Sequence, residues 1–334
     1  MKVLITGGAG FIAHHLIGKI LKETDWEIVT LDRLDYSGNL NRLHDLITHD
    51  VEFTQRNRVN VVFHDLKAEL NPMICKKIGN VDYIFHLAAG SHVDRSIENP
   101  MEFVLDNVVG TCNILNFART QNDLKRFIYF STDEVFGPAL GGVKFKENDR
   151  YNSTNPYSAT KAGGEELAVA YENTYNIPVS IMHTMNVFGE RQHPEKYIPM
   201  CIRKIRDGEV IKIHSDSTKS IPGSRHYVHV EDVADATLFI AKMTKFEKSE
   251  TRCPKFNVVG PEEFNNLELA NFIADVQNKK LKYEMVDFHS SRPGHDLRYA
   301  LDGTKMMKLG WEPKPVRDRL QKVVEWSLTN SRWL

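Results

Sequence analysis

A glycine-rich turn lies between the first apolar segment of the chain and its first helical pattern. Val3–Ile5 has the character of a buried strand, and Thr6-Gly7-Gly8-Ala9-Gly10-Phe11-Ile12-Ala13 follows directly. Gly7 permits a tight turn, and Gly10 lets a pyrophosphate approach the backbone where the helix N–H groups and dipole favour an anion. In this strand–turn–helix setting, the GxxGxxA spacing predicts a dinucleotide-binding unit.

The first half of the chain continues to alternate strands and helices. Strands are predicted at Lys2–Thr6, Glu27–Asp32, Val59–Asp65, Tyr83–Ala89, Phe127–Thr132 and Val179–Met185. They are apolar on both faces, which is typical of parallel strands covered by helices. The pattern predicts an α/β fold with a doubly wound parallel (Rossmann) sheet.

After about residue 185 this rhythm breaks, and no Pro/Gly/Ser linker marks a boundary. Helices are predicted at 194–207, 230–245, 267–277 and 316–328, and strands at 210–214, 255–259 and 282–286. We therefore predict a dinucleotide-binding domain at 1–185 with return segments at about 227–260. A smaller interleaved α/β lobe at 186–226 and 261–334 would bind the substrate.

Composition and charge exclude several classes of partner. The 334 residues carry a net charge of −1, which gives no electrostatic footprint for nucleic acid or an anionic membrane. No apolar run approaches the roughly 20 residues that span a bilayer. The four cysteines are isolated, no signal peptide is evident, and no metal-ligand cluster is present, so we expect a cytoplasmic protein with no metal site.

Asp32 ends the second predicted strand and indicates which dinucleotide is bound. A carboxylate there accepts hydrogen bonds from ribose hydroxyls and repels a 2′-phosphate, which favours NAD over NADP. Arg33 follows directly, and its positive charge could pair with the 2′-phosphate of NADP. The preference for NAD over NADP is therefore a prediction to be tested. Asp65 either meets the adenine edge or is a solvated strand end. Further cofactor contacts are expected from Phe11, Ile12, Leu66 and Ala88.

Tyr157 and Lys161 are spaced i and i+4 and should be adjacent on one helical face. A neighbouring cation favours the phenolate form of a tyrosine. Such a group abstracts a hydroxyl proton while hydride leaves the same carbon for nicotinamide. The pair therefore predicts redox chemistry at a carbinol carbon.

Two consecutive carboxylates, Asp133 and Glu134, follow Thr132 at the end of a central strand. Doubly wound sheets place ligands at such strand ends. Plain hydride transfer does not need an acidic pair, whereas elimination needs a protonated acid beside an ionised base. The segment therefore favours dehydration over simple oxidation, with a solvated acidic loop as the alternative.

At these residues the chain resembles the extended short-chain dehydrogenase/reductase superfamily, and within it the dTDP-glucose 4,6-dehydratase family. The resemblance is carried by TGGAGFI, LDYSGNL, HLAA, SHVDRSI, STDEVFG, PYSATK and RPGHD. It implies that Tyr157, with Lys161 and Thr132, assists oxidation at C4 of a nucleotide sugar. Glu134 would then remove the C5 proton, and Asp133 would protonate the departing 6-hydroxyl. The product would be a 4-keto-6-deoxy sugar, which makes the enzyme a lyase.

The same resemblance implies a homodimer, formed through helices at 101–118 and 157–175, and a set of substrate contacts. These contacts are Ser91, His92, Asp94, Asn186, Lys196, Arg225 and Arg292. Packing is an alternative role for His92.

Departures from the family pattern at Gly90, 186–188 and 224–227 leave the hexose and base open. The candidates are dTDP-glucose, UDP-glucose, UDP-N-acetylglucosamine, CDP-glucose and a GDP-linked sugar. Gly90 would suit a larger substituent at C2.

Two other functions share part of this pattern. A nucleotide-sugar 4-epimerase would use the glycine turn, Thr132, Tyr157 and Lys161 but needs no acid–base pair. A non-catalytic NAD-binding protein would have no reason to keep all three of those side chains. The intact set, together with Asp133 and Glu134, favours the dehydratase.

Overall fold

The computed structural model describes residues 1–243, 253–287 and 297–334. Its strands are β1 (Lys2–Thr6), β2 (Glu27–Asp32), β3 (Val59–Phe63), β4 (Tyr83–His86), β5 (Arg126–Thr132), β6 (Val179–Thr184), β7 (Asn186–Phe188), β8 (Ile211–Ser215), β9 (Ser224–His229), β10 (Lys255–Val258), β11 (Glu262–Asn265) and β12 (Tyr283–Asp287).

The α-helices are α1 (Phe11–Glu23), α2 (Leu40–Asp45), α3 (Pro72–Ile78), α4 (Val93–Glu98), α5 (Pro100–Val104), α6 (Gly110–Ala118), α7 (Pro156–Tyr175), α8 (Tyr197–Asp207), α9 (Val230–Lys242), α10 (Asn266–Val276), α11 (Thr304–Lys308) and α12 (Val316–Thr329). Short 3-10 or π-helical turns occupy Leu46–Asp50, Phe53–Arg58, Leu105–Val109, Asp133–Phe136, Leu140–Gly142 and Ser331–Trp333.

Seven strands form one sheet in the order β10-β6-β5-β4-β1-β2-β3. Every neighbouring pair is parallel. Successive residues of β1 pack on opposite faces: Val3 and Ile5 join α1 and α9, whereas Leu4 joins α3, α6 and α7. Both faces are therefore covered by helices, which explains the continuous apolar strands and confirms the predicted doubly wound α/β fold.

The remaining strands form two small sheets. β9 pairs with β7 in parallel and with β11 in antiparallel orientation, and β12 pairs in parallel with β8. Helices α8, α10 and α12 pack together in a separate apolar cluster around Ile202, Ile273 and Leu320. β7, β9 and β11 were not predicted, because they are three to six residues long and rich in polar side chains.

Several predicted element ends differ from the structure. α8 begins at Tyr197 and not at residue 194, because Lys196 is its extended N-cap. The helix predicted at 230–245 ends at Lys242, because Met243 is its extended C-cap. Residues 244 and 245 and the whole RPGHD segment lie outside the described residues. Among the helices that are described, none is both long and apolar enough to cross a bilayer.

Candidate active site

A cleft of about 730 Å³ opens at the carboxyl edge of the large sheet, where it faces the small sheets. Parallel strands end at this edge, and ligands of doubly wound sheets bind there. The cleft brings together these predicted residues: Gly7, Gly10, Phe11, Ile12, Asp32, Asp65, Leu66, Ala88, Ser91, His92, Asp94, Thr132, Asp133, Glu134, Tyr157, Lys161, Asn186 and Lys196. Arg225 is not among the lining residues, and Arg292 lies outside the described residues.

The glycine turn forms one end of the cleft. Gly7 has φ of 72°, and a Cβ there would lie 2.9 Å from the backbone nitrogen of Ala88. Gly10 is the N-cap of α1, and a Cβ there would lie 2.8 Å from the carbonyl oxygen of Gly7. Only glycine fits both places, and the first N–H groups of α1 have no acceptor within the helix. The cradle fits a pyrophosphate.

Asp32 is held rigidly beside this turn. One carboxylate oxygen accepts the N–H of Ala9 at 2.9 Å, and the other accepts the N–H of Leu34 at 2.8 Å. A carboxylate oxygen has two lone pairs, so each retains capacity for a further donor. Because Asp32 lines the cleft, it fits the two hydroxyls of a ribose.

Tyr157 and Lys161 lie one turn apart near the start of α7 at the cleft wall, where Tyr157 is half-buried and Lys161 is buried. The Lys161 ammonium nitrogen lies 4.3 Å from the ring centre of Tyr129, and burial lowers the pKa of Lys161 to about 7. The pKa of Tyr157 is raised, chiefly by burial and then by the charge of Glu134, while a hydrogen bond with Thr132 opposes the rise. In the protein alone, burial and the charge of Glu134 therefore outweigh the stabilisation of the phenolate that a neighbouring cation would give.

Asp133 and Glu134 begin a short 3-10 helix directly after β5. The Thr132 hydroxyl donates to Asp133 Oδ1 at 3.0 Å, and Oδ2 is buried without a hydrogen-bond partner among the described residues. Burial and the charge of Glu134 raise the pKa of Asp133 to about 7. Asp133 can therefore hold a proton near neutral pH.

Asn155 is a functional residue that the sequence reasoning missed. Its Oδ1 accepts the backbone N–H of Ser158 at 2.9 Å and so caps α7, which carries Tyr157. Its Nδ2 donates to Glu134 Oε2 at 3.1 Å, and this donor stabilises the ionised carboxylate. An asparagine before a proline at a predicted helix start was the available signal.

A buried ion cluster lies beneath the cleft and fixes α7 against the sheet. Glu165, one turn beyond Lys161, accepts from the Ser131 hydroxyl at 2.9 Å. Its carboxylate also lies 3.1 Å from His183 Nε2 and 2.9 Å from Lys255 Nζ. Because these partners come from β5, β6 and β10, Glu165 sets the position of the helix that carries Tyr157 and Lys161.

Two residues of the predicted substrate end lie beside the cleft. The Arg225 guanidinium donates to the carbonyl oxygens of Ser224 and Leu297 and lies 4.5 Å from the ring centre of Tyr299. Its predicted contact with a diphosphate stays a prediction. Gly90 lines a second pocket that shares Ser91 and His92 with the cleft, and a Cβ there would lie 3.0 Å from the ring of Phe103. The larger C2 substituent that Gly90 would suit also stays a prediction.

The other predicted substrate contacts do line the cleft. Lys196 Nζ donates to the carbonyl oxygen of Ser91 at 3.2 Å, and His92 Nε2 lies 3.7 Å from Glu195 Oε2. The sequence reasoning missed Lys212 and His214, which line the far end of the cleft. Their i, i+2 spacing on a strand, which places both on one face, was the signal.

The comparisons with known proteins agree with this geometry. The family model described as GDP-mannose 4,6 dehydratase matches residues 4–322. A dTDP-glucose 4,6-dehydratase of Salmonella typhimurium is 35% identical, with 100% of this chain and 94% of that protein covered. The trifunctional UDP-glucose 4,6-dehydratase/3,5-epimerase/reductase of Arabidopsis thaliana is 36% identical over 99% of this chain, which spans 48% of that protein.

Among solved structures, the dTDP-glucose 4,6-dehydratase DesIV from Streptomyces venezuelae, crystallised with NAD, superposes with a TM-score of 0.87. It is 31% identical, and the match covers 100% of this chain and 98% of that one. The chain therefore belongs to the GDP-mannose 4,6 dehydratase family, which confirms the resemblance to nucleotide-sugar 4,6-dehydratases.

Proposed function

We propose that the chain is an NAD-dependent nucleotide-sugar 4,6-dehydratase, a lyase that converts an NDP-hexose to the NDP-4-keto-6-deoxyhexose. The observation that carries this function is the acid–base pair opposite Tyr157. Asp133 keeps a proton near neutral pH, and Glu134 is held as an acceptor by Asn155. A 4-epimerase would have no use for this pair.

The residues of the cleft fit NAD. Gly7, Gly10 and the start of α1 would hold its pyrophosphate, and Asp32 its adenosine ribose. Phe11, Ile12, Asp65, Leu66 and Ala88 would line the rest of the site. When bound, oxidised nicotinamide accepts one hydride from the sugar, returns it later, and brings a positive charge that lowers the pKa of a nearby phenol.

Each step has a residue of this chain in a suitable place. Tyr157, hydrogen-bonded to Thr132, takes the proton of the sugar 4-hydroxyl, and Lys161 supports the charge that develops. The resulting 4-keto group acidifies C5, whose proton Glu134 removes. Asp133 donates its proton to the 6-hydroxyl, which leaves as water. A hydride returned to C6 and a proton returned to C5 complete the product, with no net redox change.

The two pyrimidine-nucleotide relatives favour dTDP-glucose or UDP-glucose as the substrate. Ser91, His92, Asp94, Asn186 and Lys196 would contact the sugar and diphosphate. The nucleoside would extend over the lobe formed by 186–226 and 261–334, with residues 1–185 and 227–260 forming the NAD domain. The place of β10 in the large sheet and the separate apolar cluster of α8, α10 and α12 support this division.

A homodimer in the cytoplasm is also proposed. Met101 and Val104 of α5 and Tyr175 of α7 keep 66%, 37% and 44% of their surface exposed, and a second subunit would cover these helices. All four cysteines are free thiols, as in a reducing compartment. Light scattering coupled to size-exclusion chromatography tests the dimer. A mass equal to that of one chain at micromolar concentration would rule the dimer out.

The function is tested by mass spectrometry of nucleotide sugars incubated with the protein and NAD in deuterated water. The panel contains dTDP-glucose, UDP-glucose, UDP-N-acetylglucosamine, CDP-glucose and GDP-mannose. Loss of one water with gain of one deuterium at carbon establishes 4,6-dehydration and names the substrate. A new isomer of unchanged composition would establish the epimerase instead.

Asn155 offers a test that separates stability from chemistry. Asn155→Ala is expected to lower the free energy of unfolding by about 0.5–2 kcal/mol, because α7 loses its cap. Asn155→Ser keeps a capping hydroxyl but loses the amide donor to Glu134. It should therefore unfold like the wild type yet dehydrate about tenfold more slowly. Urea denaturation and initial rates measure the two effects, and a serine variant with full activity would contradict the role of the amide.

Asp133 gives a pH-dependent effect on stability. Its pKa is about 7 in the folded protein against an ordinary value of 3.8, so the folded state binds an extra proton between these values. The free energy of unfolding therefore falls as pH rises from about 4 to 7. Above pH 7 the folded protein bears the full cost of the ionised, buried Asp133 carboxylate. Asp133→Asn removes this cost. The free energy of unfolding of Asp133→Asn, relative to that of the wild type, should therefore be about 2–3 kcal/mol higher at pH 8 than at pH 5.

Urea denaturation of both proteins at the two pH values measures this difference. Asp123→Asn, at an exposed site, is the matched control and should show no such gain. Equal effects of Asp133→Asn at both pH values would contradict the raised pKa.

A further inference from the structure

Arg33 occupies the position after Asp32 where a basic side chain would meet the 2′-phosphate of NADP. In the structure its guanidinium is already engaged by two carboxylates. Nη1 donates to Asp106 Oδ1, and Nη2 donates to Asp106 Oδ2 at 2.8 Å, so the two side chains form a bidentate pair. Nε and Nη2 also donate to Asp35 Oδ2 at 3.0 and 2.7 Å. Bidentate pairs of this kind fix both the position and the direction of an arginine.

Asp106 reaches Arg33 because of a local irregularity in the helix. It lies in the π-helical turn Leu105–Val109, which is inserted between α5 and α6. Such turns are frequent at functional sites. The Asp106 side chain is only 7% exposed and lies at the wall of the cleft, so its charge is poorly screened by solvent.

Gly90 provides the space for Asp106. A Cβ at position 90 would lie 3.3 Å from Asp106 Oδ2 and 3.0 Å from the ring of Phe103. A larger side chain there would displace one of them. The absence of a side chain at position 90 thus leaves room for Phe103 and for the carboxylate that pairs with Arg33.

The charges around Arg33 disfavour a further anion. Two cations, Arg33 and Lys67, share ion pairs with four carboxylates, those of Asp35, Asp65, Glu102 and Asp106. A 2′-phosphate arriving here would meet an excess of negative charge and an arginine that already uses four of its five N–H donors.

We propose that Asp106, together with Asp35, holds Arg33 away from the 2′-phosphate position and so enforces selection of NAD over NADP. Asp106 is then a positioning residue for cofactor selectivity, acting through Arg33. This inference rests on the proposed use of a nicotinamide dinucleotide, but it can fail while that function stands.

The test is calorimetric titration of the full chain with NAD and with NADP. Asp106→Asn is expected to tighten NADP binding about tenfold, because Arg33 becomes available to the phosphate. NAD binding should change little, because NAD has no 2′-phosphate for Arg33 to meet. Adding Arg33→Ala to Asp106→Asn should abolish the gain. Glu102→Gln is the matched control, since it removes a carboxylate from the same network without touching Arg33, and it should leave the affinity ratio as in wild type.

An unchanged NADP-to-NAD ratio in folded Asp106→Asn would overturn the proposal. A gain that persists after Arg33→Ala would also overturn it, since the effect would then be general charge and not release of Arg33. If Asp106→Asn does not fold, Asp35→Asn takes its place, with a smaller gain expected and an unchanged ratio contradicting the proposal. Failure of the wild type to bind either dinucleotide would refute the proposed function itself.

Discussion

Replacement of Glu134 by glutamine is expected to stop the reaction after oxidation at C4. Glutamine has the same shape and still presents an oxygen to Asn155 Nδ2, so the local structure should persist. It cannot accept the C5 proton, however, and loss of a positioned general base costs about 100- to 10,000-fold in rate. Water elimination should fall by this factor, while proton removal from the 4-hydroxyl by Tyr157 remains possible.

Rapid-mixing absorbance and mass spectrometry in deuterated water follow the two halves of the reaction separately. The Glu134→Gln variant should show reduced nicotinamide with substrate but no deuterium at C5 and no loss of water. Glu166→Gln, on the exposed side of α7, is the matched control and should behave as wild type. Normal product formation by Glu134→Gln would place the C5 base elsewhere, and epimer formation at an undiminished rate would support the 4-epimerase.

The sequence predicted the large sheet well because its signals are local. Strands that are apolar on both faces, each followed by a helical pattern, leave few alternatives to a covered parallel sheet, and the ends of β1 and β2 agree with the prediction residue by residue. β7, β9 and β11 were missed because they are short, and their pairing depends on partners far along the chain. The three residues Asn186–Phe188 are too few to show a strand periodicity, and nothing in them indicates pairing with β9.

The candidate site shows a similar division. Motifs identified residues that approach one another because parallel strands end at a common edge, as Asp32 and Thr132 do. The motifs did not indicate which side chains and backbone groups would surround these residues in the folded protein. The raised pKa of Tyr157, the carbonyl partners of Arg225 and the contact of Gly90 with Asp106 arise from tertiary packing, which no local motif encodes.

Replacement of Tyr157 by phenylalanine is expected to abolish both halves of the reaction. The ring should keep its edge-to-face contact with Phe103, whose centre lies 6.4 Å away, so the start of α7 should hold its position. The variant has no oxygen to take the proton of the 4-hydroxyl, and the rate of C4 oxidation should fall about 100- to 10,000-fold. No reduced nicotinamide should form in rapid mixing. Tyr283→Phe, at an exposed tyrosine of β12, serves as the control.

Tyr157 and Glu134 are also linked by charge, which makes their variants informative together. Glu134 is one of the groups that raise the pKa of Tyr157, after burial. Removing that charge in Glu134→Gln should lower the pKa of the phenol, so C4 oxidation in this variant should be as fast as in wild type or faster. In the double variant, the rate of C4 oxidation should fall to the same level as in Tyr157→Phe. If Glu134→Gln instead slowed C4 oxidation as much as Tyr157→Phe, the two side chains would act in one proton transfer, and the separate acid–base pair for elimination would be refuted.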